Sequence, residues 1–220
     1  LDPTCGSGAF LFAALEILEP LYQACLDRME TFLAEYQASS ENYHPDDFRD
    51  FRDAINAVET HPSREYFVLK SIILRNLYGV DIMDEAVEIC KLRMFLKLAS
   101  QVEPDYAHPN VGIEPLPDID FNIRTGNTLV GYATLDQAEI AVNSKLDFDD
   151  SWPSITEAAD DLQKSFDRFR NEQQAVDIAV SSGHKEELRS RLQVLNDRLN
   201  GYLSTEYGFP ATGTDRHSRW

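Results

Sequence analysis

At 220 residues the chain can hold one domain with a sizeable core, or a domain plus an appendage. Its formal net charge of -18 excludes a broad DNA-binding face, because a phosphate backbone repels carboxylates. Three cysteines, Cys5, Cys25 and Cys90, without metal spacing or evident pairing fit a reducing cytoplasm. No apolar run reaches the ~18 residues of a membrane span, so no membrane is expected.

The chain opens on Leu1-Asp2-Pro3-Thr4-Cys5-Gly6-Ser7-Gly8-Ala9-Phe10-Leu11-Phe12. Asp2 and Pro3 read as the end of a strand, Gly6 and Gly8 as a turn that a side chain would block, and Ala9 onward as a helix. A glycine turn feeding a helix N-terminus makes a site for a polar ligand group, since free N–H groups and the helix dipole point into it. The alternative is an ordinary strand-to-helix turn. Leu11 stands where a dinucleotide fingerprint needs its third glycine, and no Gly-Lys pair exists for a phosphate loop.

Residues 9 to 36 read as one helix or two, with Pro20 expected to kink or split it near Ile17. A polar loop over Ser39 to Pro45 leads to a second helix carrying Phe48, Phe51, Ile55 and Val58. Ser63 then caps a third, largely buried helix over Tyr66 to Leu77. A βαβ crossover needs far fewer residues than these, so a helical insertion is expected at about 36 to 62.

Leu77 to Ile82 reads as a short strand ending in Asp81, followed by a helix with Ala86, Val87, Ile89, Cys90, Leu92, Met94, Phe95 and Leu98. An acid at the end of the second strand of a doubly wound sheet is where a ribose is gripped, since a carboxylate accepts from both vicinal hydroxyls. The competing role is to cap the following helix, for which Asp84 is equally well placed. Val102 to Asp118, with four prolines, is a loop, and Asp120 to Arg124 alternates as a third strand. Asn127 after it can accept from an exocyclic amine and donate to a ring nitrogen, or simply form a turn. Asn122 and Arg124 read as structural.

Residues 134 to 152 are acidic and weakly patterned. Ile155, Leu162, Phe166, Phe169, Val176 and Val180, then Leu188, Leu192, Leu195, Leu199 and Tyr202 after an interruption at Ser181-Ser182-Gly183, predict an antiparallel two-helix hairpin. From Thr205 the chain is polar and reads as loop.

The opening run resembles motif I of amino-group DNA methyltransferases that use S-adenosylmethionine, Asp-Pro-x-Cys-Gly-Ser-Gly-x-Phe-Leu. It is most similar to the large adenine-specific enzymes of restriction-modification and phage-defence systems. Gly79-Val80-Asp81-Ile82 with Ala86 and Arg93-Met94 matches the family's second motif, and Asn122-Ile123 through Gly126-Asn127-Thr128-Leu129 its third. The resemblance covers residues 1 to 12, 77 to 96 and 120 to 131. It implies an α/β fold: a partial doubly wound, Rossmann-like sheet of the class I methyltransferases, with large helical insertions and a helical hairpin. It implies that Asp81 holds the ribose of S-adenosylmethionine, that Ile82 packs on its adenine and that Asn127 lies near that ring. Asp2, Pro3, Thr4, Cys5, Gly6, Gly8, Phe10 and Leu129 complete the implied cofactor site, with no metal.

The family grips its target amine with Asn/Asp-Pro-Pro-Tyr/Phe, whose aromatic ring stacks on the flipped base. No two of the ten prolines here are adjacent, so that motif is absent and no catalytic residue is assigned. The chain starts inside a motif without Met, so a fragment of a longer protein is expected, itself inactive. Residues 1–132 would be the cofactor-binding part, 133–204 an acidic linker and hairpin insertion, and 205–220 a polar tail. DNA would be engaged by other regions of the parent, and uncovered apolar surface predicts self-association of this piece. The competing reading is a non-catalytic nucleotide-binding or assembly domain, or a methyltransferase acting on RNA or protein.

Overall fold

A computed structural model describes residues 1–39, 44, 46–102, 116–131, 134–143, 151–174 and 182–206. They form two compact units, Leu1–Gly126 and Asn127–Trp220. The described residues are mostly helical, with a small parallel sheet.

In the first unit, α1 (Ala9–Ser39) buries Leu11, Leu15 and Leu26 against α3 (Arg64–Asn76). Of the two outcomes expected for residues 9 to 36, one helix or two, the structure has one, with Pro20 inside it. A proline inside a helix costs about 3 kcal/mol. Burying a leucine contributes about 1.5–3 kcal/mol, so three of them offset that cost. Tyr22 also donates to Asn76 Oδ1 at 2.6 Å, and Glu19 pairs with Lys97 at 4.0 Å, so the turns on both sides of Pro20 are tied down. By length and composition α1 also suffices to cross a membrane, although Glu16 and Glu19 interrupt its apolar run. Leu11, Leu15 and Leu26 on it are buried in the core of the first unit.

α2 (Arg49–Glu59) buries Ile55 and Val58. Phe48 stands outside it, in the left-handed region at φ 55°, and not within the helix as the pattern implied. Its ring meets Phe32 at 4.9 Å and Tyr36 at 5.1 Å, edge to face, which fastens the insertion to α1. Ser63 caps α3 as expected, accepting from the Tyr66 N–H at 3.2 Å.

β1 (Gly79–Asp81) and β2 (Ile123–Thr125) pair in parallel, Gly79 opposite Ile123. Asp2 adds a parallel bridge on the other side of Gly79, the stub of a further strand. The sheet is shorter than the pattern promised. Leu77 is still the cap of α3, and residues 119–122 form a turn in which Asn122 and Ile123 N–H both reach Ile119 O. Between the strands runs α4 (Asp84–Ala99), burying Val87, Cys90, Met94 and Leu98. Lys91 on it bridges Glu88 and Asp120. The expected loop of Val102 to Asp118 lies mostly outside the described residues.

In the second unit the acidic, weakly patterned stretch begins with a helix, α5 (Leu135–Asn143), and residues 144–150 lie outside the described residues. α6 (Ser151–Gln174) and α7 (Ser182–Glu206) pack together, and Ile155, Phe169 and Leu188 on them are buried. His184 meets Glu172 at 2.7 Å, and Arg191 reaches Asp161 O at 3.5 Å. Those pairs advance in opposite directions along the two helices, so the hairpin is antiparallel. Ser182 and Gly183 belong to α7 rather than interrupting, and α7 runs past Thr205 to Glu206. Val176, Val180 and the tail from residue 207 lie outside the described residues.

Candidate cofactor-binding site

Parallel strands carry their carboxyl ends to one edge, and the loops leaving that edge converge there. The first such loop is the glycine turn. Asp2 N–H donates to Tyr78 O at 2.8 Å and Val80 N–H to Asp2 O at 2.9 Å, which aligns the start of the chain with β1. Cys5 N–H then reaches Val80 O at 2.9 Å and Gly6 N–H the Asp81 carboxylate at 2.8 Å. Gly8 N–H closes the turn on Cys5 O at 2.8 Å. Gly6 at φ 51° and Gly8 at φ 87° occupy the left-handed region, where a Cβ is costly. At Gly8 there is also no room, since a Cβ would stand 2.5 Å from Cys90 Sγ.

Asp81 serves two backbone groups. Its Oδ2 takes Gly6 N–H and its Oδ1 takes Met83 N–H at 2.9 Å. The second bond is the capping role weighed from sequence; Asp84 lies in the first turn of α4 and the N-cap residue, Met83, makes no side-chain cap bond. Each carboxylate oxygen carries two lone pairs, so each keeps one acceptor position for a ligand. Asp81 O also receives Gly126 N–H at 2.9 Å, bringing the end of β2 to the same place.

Asp2 Oδ1 accepts Thr4 N–H at 3.1 Å, and its Oδ2 is buried with no hydrogen-bond partner among the described residues. Such an acceptor costs free energy until a donor meets it. Burial, then the charges of Asp81 and Asp2, push the Cys5 thiol above its ordinary value. The turn thus lies between two carboxylates and suits a ligand with cationic and hydroxyl groups. Cys5 is buried, and its raised value keeps the thiol protonated. Beyond the bonded groups, Phe10 is 78% exposed and Ile82 68% exposed, each within two residues of Gly8 or Asp81. Pro3 completes the turn. Among the described residues no cluster of His, Cys, Asp and Glu could hold a metal.

Asn127 and Leu129 belong to the second unit and are described within it. Asn127 Oδ1 accepts Leu129 N–H at 3.0 Å, the turn foreseen as its plainer role, and Leu129 is 89% exposed.

Two contributors entered the sequence reading only as matches to the second motif, with no role assigned. Arg93 donates to Ser7 O at 2.6 Å and lies 4.4 Å over the Phe12 ring. Gly79 admits no side chain, since a Cβ would meet Leu11 Cδ1 at 2.9 Å and Cys5 Sγ at 3.0 Å. The match of Arg93-Met94 to the second motif was the signal available for Arg93.

Residues 75–200 match the model of the Eco57I restriction-modification methylase family, a stretch that includes Asp81 and Arg93. The glycine turn lies outside it and is joined to it by the bonds above. Over 147 residues, 65% of this chain, the sequence is 30% identical to a protein named as a type II restriction enzyme and methyltransferase of Methanocaldococcus jannaschii. The match spans only 9% of that relative's length. No solved structure matches significantly. A family match over more than half of the sequence settles the assignment: the chain belongs to the Eco57I restriction-modification methylase family.

Proposed function

We propose that this chain is the cofactor-binding part of a DNA methyltransferase that transfers a methyl group from S-adenosylmethionine to adenine N6 in a restriction-modification or phage-defence system. The observation that carries the reading is the bond from Gly6 N–H to the Asp81 carboxylate. It fastens a helix-initiating glycine turn to an acid at the carboxyl end of a parallel strand. Family membership and the partial parallel sheet support it; the doubly wound completion of that sheet is part of the proposal.

The residues present fit the cofactor. S-adenosylmethionine offers vicinal ribose hydroxyls, an ammonium and a sulfonium, and a carboxylate. The remaining lone pairs of Asp81 take the hydroxyls. The buried Asp2 Oδ2 takes a cationic N–H donor. The first N–H groups of α1, which have no partner within the helix, take the carboxylate. Exposed Ile82 offers an apolar shelf for the adenine. When bound, the cofactor supplies a methyl group on a charged leaving group, so transfer needs no metal from these residues. What they contribute is orientation, and holding two reactants in place is worth up to ~7–11 kcal/mol of barrier.

The chain contains no Asn/Asp-Pro-Pro-Tyr/Phe motif to hold the target amine, and its charge of -18 repels DNA. We therefore assign base flipping and DNA contacts to other parts of the parent and expect no transfer by residues 1–220 alone. The test is transfer of tritiated methyl to mixed-sequence DNA by the full-length protein, followed by nucleoside analysis. Label on N6-methyl-2′-deoxyadenosine is expected. Label on cytosine, or on RNA or protein instead, would overturn the substrate assignment, and incorporation by residues 1–220 alone would show that the catalytic residues lie within them.

A further inference from the structure

Arg93 is placed where it controls the glycine turn. The turn has two peptide planes whose orientation is fixed at both ends. In the Cys5–Gly6 peptide, the carbonyl accepts Gly8 N–H and the N–H donates to Asp81 Oδ2. In the Ser7–Gly8 peptide, the N–H donates to Cys5 O, and the carbonyl accepts from Arg93 Nη1 at 2.6 Å. Arg93 Nη1 also stands 3.4 Å from Ser7 Oγ, and its guanidinium covers the Phe12 ring. The outer fastenings of the two planes therefore come from one stretch of chain, Asp81 at the end of β1 and Arg93 on α4.

Neither glycine can supply this rigidity, because both are free to leave the left-handed region. Cys90, one turn before Arg93 on α4, blocks Gly8 from one side only, through its Sγ. Without Arg93 the Ser7 carbonyl can turn to solvent, and the Gly8 N–H turns with it.

We propose that Arg93 is a positioning residue for cofactor binding: with Asp81 it clamps the turn of residues 5 to 8 in its ligand-ready shape before S-adenosylmethionine arrives. This rests on the cofactor assignment above. The chemistry favours arginine over lysine. A planar fork can hold a carbonyl while its face lies on an aromatic ring, whereas an ammonium provides only the hydrogen bond.

The test uses the full-length protein with Arg93→Gln and Arg93→Lys, measured in two ways. In hydrogen exchange without cofactor, the turn and first helical turn (residues 5–12) should exchange about tenfold faster in Arg93→Gln, the loss of one charge-assisted bond at its weaker end. Arg93→Lys should restore part of the protection, and exchange over Tyr66 to Leu77 should not change. In calorimetry, S-adenosylmethionine affinity should fall by a similar factor in Arg93→Gln and recover partly in Arg93→Lys. Unchanged exchange over residues 5–12, or acceleration spread equally through the core, would overturn the clamp. Absence of cofactor binding by the unsubstituted protein would overturn the cofactor assignment instead, and the exchange result would still decide whether Arg93 holds the turn.

Discussion

Gly8 is the residue at which backbone and packing demands coincide. Its φ of 87° strains any side chain, and a Cβ would lie 2.5 Å from Cys90 Sγ. The first effect costs about 1–2 kcal/mol and overpacking about 1–3 kcal/mol. Gly8→Ala should therefore lower stability by about 2–4 kcal/mol, read as a shift of the urea midpoint. A wild-type midpoint would mean that Cys90 swings away freely.

The thiols behave differently from one another for the same local reasons. Burial pushes Cys90 from its ordinary 9.0 up to about 12, and burial with the Asp81 and Asp2 charges raises Cys5, while Cys25 is exposed. Brief alkylation of the native protein at neutral pH should label Cys25 and spare the other two, as mass spectrometry would show. A raised thiol value means that the folded state keeps a proton the unfolded chain releases. Its stabilising effect is complete below pH 9 and is lost as pH climbs toward 12, so the urea midpoint should decline across that interval.

Among the elements, α3 is held at its end by a residue from far along the chain. Asn122 is buried, and its Nδ2 donates to Ile73 O, Leu74 O and Leu77 O at 3.0–3.2 Å. Removing it strands carbonyls at a buried helix terminus, at about 1–3 kcal/mol for each unsatisfied group. Asn122→Asp should be worse than Asn122→Ala, because a carboxylate facing three carbonyls has nothing to donate. Thermal melts of both variants would show whether that order holds. Asn122 was legible in sequence as structural, but its partners were not, because they arise from residues 45 or more positions away.

The helices α3, α4 and the hairpin were legible because their apolar residues repeat at three and four. The short strands were harder to bound. Three residues give no period, so their limits are set by the ladder that Asp2, β1 and β2 build together. α5 was missed because its acidic residues mask a weak stripe. Whether Pro20 divides α1 could not be read locally, since burial on both sides of it decides that the helix continues. Within the site, the residue types of the turn and of Asp81 could be read directly. The clamp by Arg93 could not, since it depends on how α4 lies over the turn.

Across the whole chain, exposed apolar residues recur on helix faces of the first unit. Phe10, Ile17 and Leu21 mark α1, and Ile89, Leu92 and Leu96 mark α4. Apolar stripes of this kind invite association. Residues 1–220 produced alone should sediment as a mixture heavier than a monomer, and Leu92→Glu with Leu96→Glu should shift it toward monomer. A single monomeric boundary for the unsubstituted chain would contradict this.

Cofactor binding through Asp81 is the claim on which the functional reading depends, and titration calorimetry of S-adenosylmethionine into the full-length protein and its Asp81→Ala variant tests it most directly. Two charge-assisted hydrogen bonds at ~1.5–3 kcal/mol each are removed, and the Gly6 anchor goes with them. The predicted result is binding by the unsubstituted protein and a loss on the order of a hundredfold to ten-thousandfold in the variant. Equal affinity in the two proteins would contradict it and leave Asp81 with only its structural bonds to Gly6 and Met83.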